Sequence, residues 1–256
     1  MLFRSLYPLD LSIIVTGNEI VDYFKVLLKA MELTMPDIAE KTRHVAHGML
    51  RLPGGKMSSR TGDVITAESL LDQMKVKLRE HVSEKSDLNE KEREAATEAI
   101  AVGAIKYSIL KQNPGQDIIF DFDKSLSAEG DSGPYVQYAY ARLKSIIRKS
   151  SIDAAAVKNL KLDLELLDGE TDITLIRKIL GFPDIVARAA ELNAPSGLVS
   201  YLYRFASLVN RFYETTPILK DENEARRNAR LALVFSAANV LRFGLGLLGI
   251  KTLEKI

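Results

Sequence analysis

A short segment bounded by glycines carries the residues best suited to chemistry. Residues 55–62 read Gly-Lys-Met-Ser-Ser-Arg-Thr-Gly, so two cations, Lys56 and Arg60, stand four positions apart. A lysine can neutralise the charge that builds on phosphates as pyrophosphate leaves, and an arginine offers a planar fork to phosphate oxygens. Ser58 and Ser59 can donate hydrogen bonds. The segment therefore favours chemistry on a nucleoside triphosphate; an ordinary surface loop of similar composition is the alternative.

A strand, a helix and a second strand precede this segment. Residues 10–16 are apolar and β-branched and stop at Gly17, which predicts a buried strand. Apolar residues at helical spacing over residues 20–31 predict a helix that ends before Pro36. Residues 44–52 are predicted to be extended. This order is typical of an α/β unit with parallel strands.

The remaining sequence is mainly helical. A helix is predicted over residues 67–82, and Asn89 with Glu92 forms a capping box that opens another, to about residue 112. Residues 117–123 are predicted to be extended, and a helix that begins at Pro134 follows. Further helices are predicted over residues 172–180, 183–192, 196–215 and 221–248.

The last of these helices is predicted to begin at Asp221, with Glu224 as the second half of a capping box. Three arginines follow within its first turns, at positions 226, 227 and 230. They are interpreted as a solvated helix face, and contact with a nucleic-acid backbone is the alternative.

The composition excludes several kinds of site. Cysteine is absent and only three histidines occur, which excludes disulfides, thiolate catalysis and cysteine-ligated zinc. No protein-bound metal is therefore expected. No apolar run approaches the ~18 residues of a membrane helix, so a cytoplasmic location without membrane contact is expected. Residues 134–256 carry a net charge of +5 and the rest −4, which suits RNA binding, or a solvated surface.

Three regions, the last of them with two helices, carry a resemblance to a known family. Residues 56–60, Lys-Met-Ser-Ser-Arg, resemble the KMSKS signature of class I aminoacyl-tRNA synthetases, with Arg60 at the second lysine. Residues 120–142, which include Gly-Asp-Ser-Gly-Pro-Tyr-Val-Gln-Tyr, resemble the segment that enters the anticodon-binding domain of arginyl-tRNA synthetases. Residues 198–213 and 230–250 look like the central and last helices of that domain. Over residues 10–256 the sequence is similar to the C-terminal half of these enzymes.

The resemblance implies a mixed fold, in which a partial Rossmann-like α/β fragment is followed by an all-α helical bundle. Residues 1–65 would be the C-terminal part of the catalytic domain, residues 66–126 a helical connecting region that contacts the tRNA stem, and residues 127–256 a DALR-type anticodon-binding domain. The family joins arginine to tRNA(Arg) through arginyl-adenylate, with ATP and its Mg²⁺ as substrate. The partners implied are tRNA(Arg), arginine and ATP, and a monomer is expected.

The resemblance also implies roles for individual residues. Lys56 and Arg60 would be catalytic, and Asn18 and Glu19 would lie near the substrate pocket, where the family commonly has an acid and a glutamine. The residues implied to bind ATP are His47, Met49, Lys56, Met57, Ser58 and Ser59.

Tyrosines and an arginine are the candidates for RNA contact. Tyr135, Tyr138 and Arg142 share one face of a predicted helix, and Tyr213 lies near the end of another. A tyrosine that stacks on an unpaired base contributes about 1–3 kcal/mol. The alternative is that these tyrosines are half-buried packing residues, which is the preferred interpretation for Tyr201 and Tyr203.

The histidine signature of the family, HIGH, has no counterpart here, because no His-x-Gly-His occurs in the 256 residues. These residues alone are therefore expected not to form the adenylate, and whether truncation or a partner accounts for the missing half is left open. Two further alternatives remain: a tRNA-binding module without catalysis, and another class I synthetase such as the cysteinyl enzyme.

Overall fold

The chain forms two compact units. The computed structural model describes residues 9–52, 66–81, 89–150, 152, 157 and 162–255. One unit consists of residues 1–56 with 112–120, and the other of residues 57–111 with 121–256. The first is α/β and the second is helical, so the predicted mixed fold is confirmed.

The first unit is built on two parallel strands. Its elements are β1 (Ser12–Gly17), a 3₁₀ turn (Asn18–Ile20), α1 (Val21–Thr34), α2 (Pro36–Glu40) and β2 (Thr42–His47). In the register, Ser12 lies opposite Thr42 and Gly17 opposite His47. The predicted parallel strand–helix–strand arrangement is confirmed, but the expectation that the first strand is buried is wrong, because Ile13 and Val15 of β1 are exposed. Pro36 does more than end α1, because it also opens the short helix α2.

Helix α1 contacts the sheet at β2. Phe24 and Met31 are buried, and the Phe24 ring stacks on the imidazole of His44 in β2 at 4.0 Å between ring centres. The remaining apolar residues of the predicted helical face are less buried, and Ile20 is exposed. The helix therefore contacts the sheet mainly through the Phe24–His44 stack.

A second, smaller parallel pair joins distant parts of the sequence. It consists of β3 (Leu50–Arg51) and β4 (Ile118–Ile119). The prediction that residues 117–123 are extended is wrong only at residues 122 and 123, since Asp121 still has extended backbone angles. Asp121 accepts hydrogen bonds from the backbone N–H groups of Asp123 and Lys124 and so caps a short helix, α5 (Phe122–Leu126).

The second unit contains the remaining described helices. They are α3 (Ala67–His81), α4 (Glu90–Leu110), α5, α6 (Gly133–Ser150), α7 (Glu170–Leu180), α8 (Phe182–Glu191), α9 (Ser196–Thr215) and α10 (Glu224–Leu247), with a 3₁₀ turn at Leu164–Leu166. The capping box of Asn89 and Glu92 at the start of α4 is confirmed.

Helix α9 is the centre of the bundle. It packs against α6, α7, α8 and α10. Its buried apolar residues recur three or four positions apart, as on one helical face. They are Leu198, Val199, Leu202, Phe205, Ala206, Val209 and Phe212. Full burial of each large side chain contributes about 1.5–3 kcal/mol, so this face is a main source of stability.

Helices α4 and α6 cross at a pair of glycines. A Cβ atom on Gly133 would lie 2.7 Å from the carbonyl oxygen of Gly103, so the crossing requires a residue without a side chain. Beside it, the buried amide of Gln137 donates from Nε2 to the carbonyl oxygens of Ala99 (3.2 Å) and Lys251 (2.8 Å). These bonds join α4, α6 and residues 248–255, which follow α10 and which we call the C-terminal segment.

The C-terminal segment is fastened to α6 through Glu254. Its carboxylate accepts from the Tyr140 hydroxyl at 3.0 Å and pairs with Lys144 at 3.1 Å, and its carbonyl oxygen accepts from Arg148. Burial, together with the hydrogen bond to Glu254, raises the pKa of Tyr140 to about 12. The segment therefore packs along the length of α6.

Helix α10 begins later than predicted. Its N-cap is Asn223, whose side chain accepts from the backbone N–H of Arg226. The predicted capping box at Asp221 and Glu224 is therefore wrong. Among the described helices, one is long and apolar enough to cross a membrane, namely α10. Half of its apolar stretch is buried in the bundle, as in the core helix of a bundle.

The arginines at the start of α10 surround buried acids. Asp221 is buried and accepts from Arg226 Nε at 2.6 Å and Arg230 Nη1 at 2.8 Å. Arg230 also donates from Nη2 to buried Asp172 of α7 at 3.2 Å, and Arg227 donates to the Asp221 carbonyl. The hydrogen bond from Arg226 lowers the pKa of Asp221 to about 2. The interpretation of these arginines as a solvated face is wrong for Arg230, whose side chain is only 12% exposed between two buried acids, whereas that of Arg226 remains 38% exposed.

Candidate functional site

Three of the four residues predicted to contact RNA lie together on the helical bundle. The guanidinium carbon of Arg142 on α6 lies 4.6 Å from the ring centre of Tyr138 and 5.2 Å from that of Tyr213 on α9. Both distances are within the range of cation–π attraction. Each tyrosine is 37% exposed. We call Tyr138, Arg142 and Tyr213 the aromatic–arginine cluster.

Two side chains of α9 hold the Arg142 guanidinium. Its Nη1 donates to Glu214 Oε1 at 3.0 Å and to Asn210 Oδ1 at 3.3 Å. Burial alone would lower the pKa of Arg142, but hydrogen bonds with Tyr138 and Glu214 outweigh that effect and raise it. The cluster therefore presents a fixed charge beside two partly exposed rings.

The fourth predicted residue, Tyr135, lies one turn earlier on α6 and packs differently. It is half-buried, its hydroxyl donates to Ser207 Oγ at 3.3 Å, and its ring centre lies 5.7 Å from that of Tyr203. Tyr201 is a packing residue, since its buried hydroxyl donates to the Lys178 carbonyl at 2.6 Å. Burial raises the pKa of Tyr201 to about 12.

The aromatic–arginine cluster has the chemistry of a site for unpaired nucleotides. Partly exposed tyrosine rings can stack on bases, and a guanidinium can bind phosphate or a base edge. Sequence analysis missed Asn210 and Glu214. Asn210 lies three residues before Tyr213, and Glu214 directly follows it. Their contacts with Arg142, however, span 68 residues of sequence for Asn210 and 72 for Glu214.

The predicted ATP and substrate residues of the first unit lie at one edge of its sheet. Gly17 and His47 are paired at the carboxyl ends of β1 and β2. Asn18 and Glu19 directly follow β1, and Met49 follows β2. In open sheets of parallel strands, ligands bind outside this carboxyl edge. The four candidate residues therefore share the edge where a nucleotide is expected.

Asp117 organises this edge. Its Oδ1 accepts from the backbone N–H of Met49 at 2.9 Å and from Asn18 Nδ2 at 3.4 Å, and its Oδ2 pairs with Arg51 at 2.6 Å. The backbone hydrogen bond from Met49 lowers the pKa of Asp117 most, against a smaller opposing effect of burial. Asn18 also donates to the Gly115 carbonyl at 3.1 Å. Sequence analysis did not single out Asp117 or Arg51.

Gly48 allows its backbone to pack closely against that of Gln116 at this edge. A Cβ atom at this position would lie 1.8 Å from the Gln116 carbonyl oxygen, so no other residue fits without a backbone shift. On one side of it, His47 Nδ1 lies 2.9 Å from the Gly48 carbonyl oxygen. On the other, the Met49 side chain is 44% exposed. The backbone here is fixed while the Met49 side chain stays accessible.

The predicted phosphate-binding loop lies outside the described residues. Lys56, Met57, Ser58, Ser59 and Arg60 therefore stay predictions from sequence. Within the described parts of the chain, no group of three or more histidine, aspartate or glutamate residues could hold a metal ion.

Comparison with known protein families connects both regions to one family. Residues 12–122 match the model of the catalytic domain of class I tRNA synthetases (R), and residues 136–256 match the model of the DALR anticodon binding domain. The chain belongs to the arginyl-tRNA synthetase family.

Individual relatives agree with this assignment. The chain is 38% identical to an arginine–tRNA ligase of Clostridium acetobutylicum over 254 residues, which are 99% of the chain and 44% of that relative. It is 34% identical to an arginine–tRNA ligase of Treponema pallidum over 253 residues, which are 98% of the chain and 43% of that relative. The chain thus spans less than half the length of these curated relatives.

Solved structures of arginyl-tRNA synthetases share the fold. That of Thermus thermophilus superposes with a TM-score of 0.86 at 33% identity, covering 96% of the chain and 41% of the solved chain. That of Plasmodium falciparum gives a TM-score of 0.75 at 27% identity, with the same coverage. These matches favour the arginine enzyme over the cysteinyl alternative. The aromatic–arginine cluster falls in the part matched to the anticodon-binding domain, and the sheet edge in the part matched to the catalytic domain.

Proposed function

We propose that this chain supplies the ATP loop and the tRNA-binding surface of an arginine–tRNA ligase. In that reaction the arginine carboxylate attacks the α-phosphate of Mg²⁺-ATP, and pyrophosphate leaves to give arginyl-adenylate. The arginyl group is then transferred to a hydroxyl of tRNA(Arg), and AMP leaves. The observation that carries the proposal is the aromatic–arginine cluster, in a helical bundle similar to anticodon-binding domains. Residues 127–256 would form that domain.

The chemistry of the cluster supports contact with an anticodon loop, whose unpaired bases are open to stacking. Tyr138 and Tyr213 would stack on bases, and Arg142 would bind a phosphate or a base edge. Tyr135 would contribute through its exposed part, since its hydroxyl is bonded to Ser207. In this proposal residues 66–126 contact the stem of the same tRNA.

The sheet edge and the phosphate loop would together handle ATP within residues 1–65. His47 and Met49 would receive the adenine, and Asn18 and Glu19 would face the substrate pocket. Lys56 and Arg60 would stabilise the charge on the phosphates as pyrophosphate leaves, while Ser58 and Ser59 donate hydrogen bonds and Met57 contacts the nucleotide. The enzyme would act in the cytoplasm as a monomer.

These 256 residues are proposed to need a segment bearing the HIGH motif before the adenylate forms. They contain no His-x-Gly-His, so histidines that would stabilise the phosphates from the opposite side are missing. Pyrophosphate exchange in the presence of ATP, arginine and tRNA(Arg) tests this directly. We expect no exchange from the chain alone, and robust turnover would refute the proposal.

RNA binding is tested at Arg142. We expect Arg142→Gln to weaken binding of a tRNA(Arg) transcript and to make the dependence of log K on log salt shallower by up to about 0.7–0.9, the value for one whole phosphate contact. The matched control is Arg188→Gln, since Arg188 is an exposed arginine on α8 of the same bundle. Equal effects of the two variants, or no preference for tRNA(Arg) over other tRNAs, would contradict the proposed function.

A further inference from the structure

An acidic residue lies within the surface that RNA phosphate would approach. Glu214 follows Tyr213 at the end of α9, and its Oε1 lies 3.0 Å from Arg142 Nη1. The Glu214 side chain is 62% exposed, whereas that of Arg142 is 25% exposed. A phosphate that binds this guanidinium therefore meets a carboxylate as a neighbouring like charge.

We propose that Glu214 competes with RNA phosphate for Arg142 and thereby sets how tightly the aromatic–arginine cluster binds RNA. The inference rests on the proposed RNA-binding function and goes beyond it, because it assigns Glu214 a role that opposes binding. A carboxylate and a phosphate oxygen are interchangeable acceptors for the same guanidinium N–H donors.

Glu214 is one of several side chains that contact Arg142. The side chain of buried Asn210 accepts from the same Nη1 at 3.3 Å, and the rings of Tyr138 and Tyr213 lie against the guanidinium. Without Glu214, a neutral amide and two rings would still contact Arg142. What Glu214 adds is its negative charge.

The strength of this ion pair suits a competitor. Because the Glu214 carboxylate is 62% exposed, the pair is screened by salt, and a phosphate can displace the carboxylate or share the guanidinium with it. A buried acid in the same place would neutralise Arg142 permanently. The exposure of Glu214 therefore makes the contact exchangeable.

The test compares Glu214→Gln with Glu191→Gln, which removes the same charge from an exposed residue at the end of α8. Affinity for a tRNA(Arg) transcript would be measured by fluorescence anisotropy at several salt concentrations. We expect Glu214→Gln to bind about two- to fivefold more tightly, since exposed ion pairs are weak. The salt dependence should steepen by up to about 0.7, the value for one single-strand phosphate. Glu191→Gln should change neither value.

A double variant separates local competition from general repulsion. In the Arg142→Gln background, Glu214→Gln should no longer increase affinity, because the guanidinium for which it competes is gone. A gain that persists there, or an affinity of Glu214→Gln at or below that of Glu191→Gln, would overturn the inference. If Arg142→Gln weakens binding but Glu214→Gln does not strengthen it, competition fails and the proposed function stands. If Arg142→Gln has no effect, both fail.

Discussion

Arg230 of α10 is a cation shared by two buried carboxylates, those of Asp172 on α7 and Asp221 before α10. Its own side chain is 12% exposed, and those of the two acids are 2% and 1% exposed. Replacing Arg230 by alanine would leave like charges buried without their common partner. Breaking a buried ion pair in this way costs about 3–5 kcal/mol of unfolding free energy.

The contacts of the two acids place the expected loss at the lower end of that range. Asp221 would keep two hydrogen bonds from Arg226, at 2.6 and 2.8 Å. Asp172 would be destabilised more, since its Oδ1 is buried without a hydrogen-bond partner and its Oδ2 would lose the hydrogen bond from Arg230. We therefore expect Arg230→Ala to destabilise the bundle by about 3 kcal/mol, mainly through Asp172.

Urea unfolding followed by circular dichroism measures this effect. The matched control is Arg79→Ala, because Arg79 pairs with Glu94 at 2.8 Å while both side chains are 55% exposed. Arg79→Ala should lower the free energy of unfolding by about 0–1 kcal/mol. A double change, Arg230→Met with Asp172→Leu, should recover most of the loss, since apolar groups replace the charges. If Arg230→Ala costs no more than the control, the acids are solvated in solution and the reasoning is refuted.

Three further predictions concern other parts of the chain. Asp221 has a pKa of about 2 in the folded protein against its usual 3.8, so its stabilisation is present above pH 3.8 and is lost as the pH falls towards 2; Asp221→Asn should remove this part of the acid dependence of urea unfolding. Gly48→Ala should disorder the sheet edge, because its Cβ would lie 1.8 Å from the Gln116 carbonyl oxygen, and amide hydrogen exchange at residues 47–49 should accelerate. Asn89→Ala should cost about 0.5–2 kcal/mol in thermal unfolding, because α4 loses the cap that accepts from Glu92.

Each of these predictions has its own control. An acid dependence that is equally steep in Asp221→Asn would mean that other carboxylates govern it. For Gly48 the comparison is Gly197→Ala, where a Cβ would meet nothing within 4 Å; equal exchange in both variants would contradict the steric argument. Asn89→Ser retains an oxygen that can cap, so it should stay close to the original stability, and a loss as large as that of alanine would argue against capping.

Local sequence signals predicted the elements whose causes are local. Helix α9 was predicted over residues 196–215 and is observed over Ser196–Thr215, because its apolar spacing is regular. The capping box at Asn89 depends on two residues three positions apart, and it is present. Parallel pairing of β1 and β2 followed from the strand–helix–strand order.

Contacts between distant residues were not predictable in this way. Asp221 has the sequence signature of a helix cap, but its carboxylate binds Arg226 and Arg230, and the cap is Asn223. The decisive partner is Asp172, which lies 58 residues from Arg230 in the sequence. No local pattern contains that pairing.

The same distinction between local signals and long-range contacts applies to the candidate site. Tyr138 and Arg142 are neighbours on one helix, so their shared face could be predicted from spacing alone. Tyr213 entered through family resemblance, while Glu214, Asn210 and the other long-range partners emerged only from packing. At the sheet edge, Asp117 reaches Met49 across 68 residues, which spacing could not indicate.

The contacts between the C-terminal segment and α6 restrict which substitutions α6 can accept. Tyr140 and Lys144, which bind Glu254, stand two positions after Tyr138 and Arg142, about half a turn round the helix. A third face, with Val136, Ala139 and Leu143, lies in the core. Few positions of α6 are thus free to accept neutral substitutions, and random mutagenesis of the bundle should find it among the least tolerant helices.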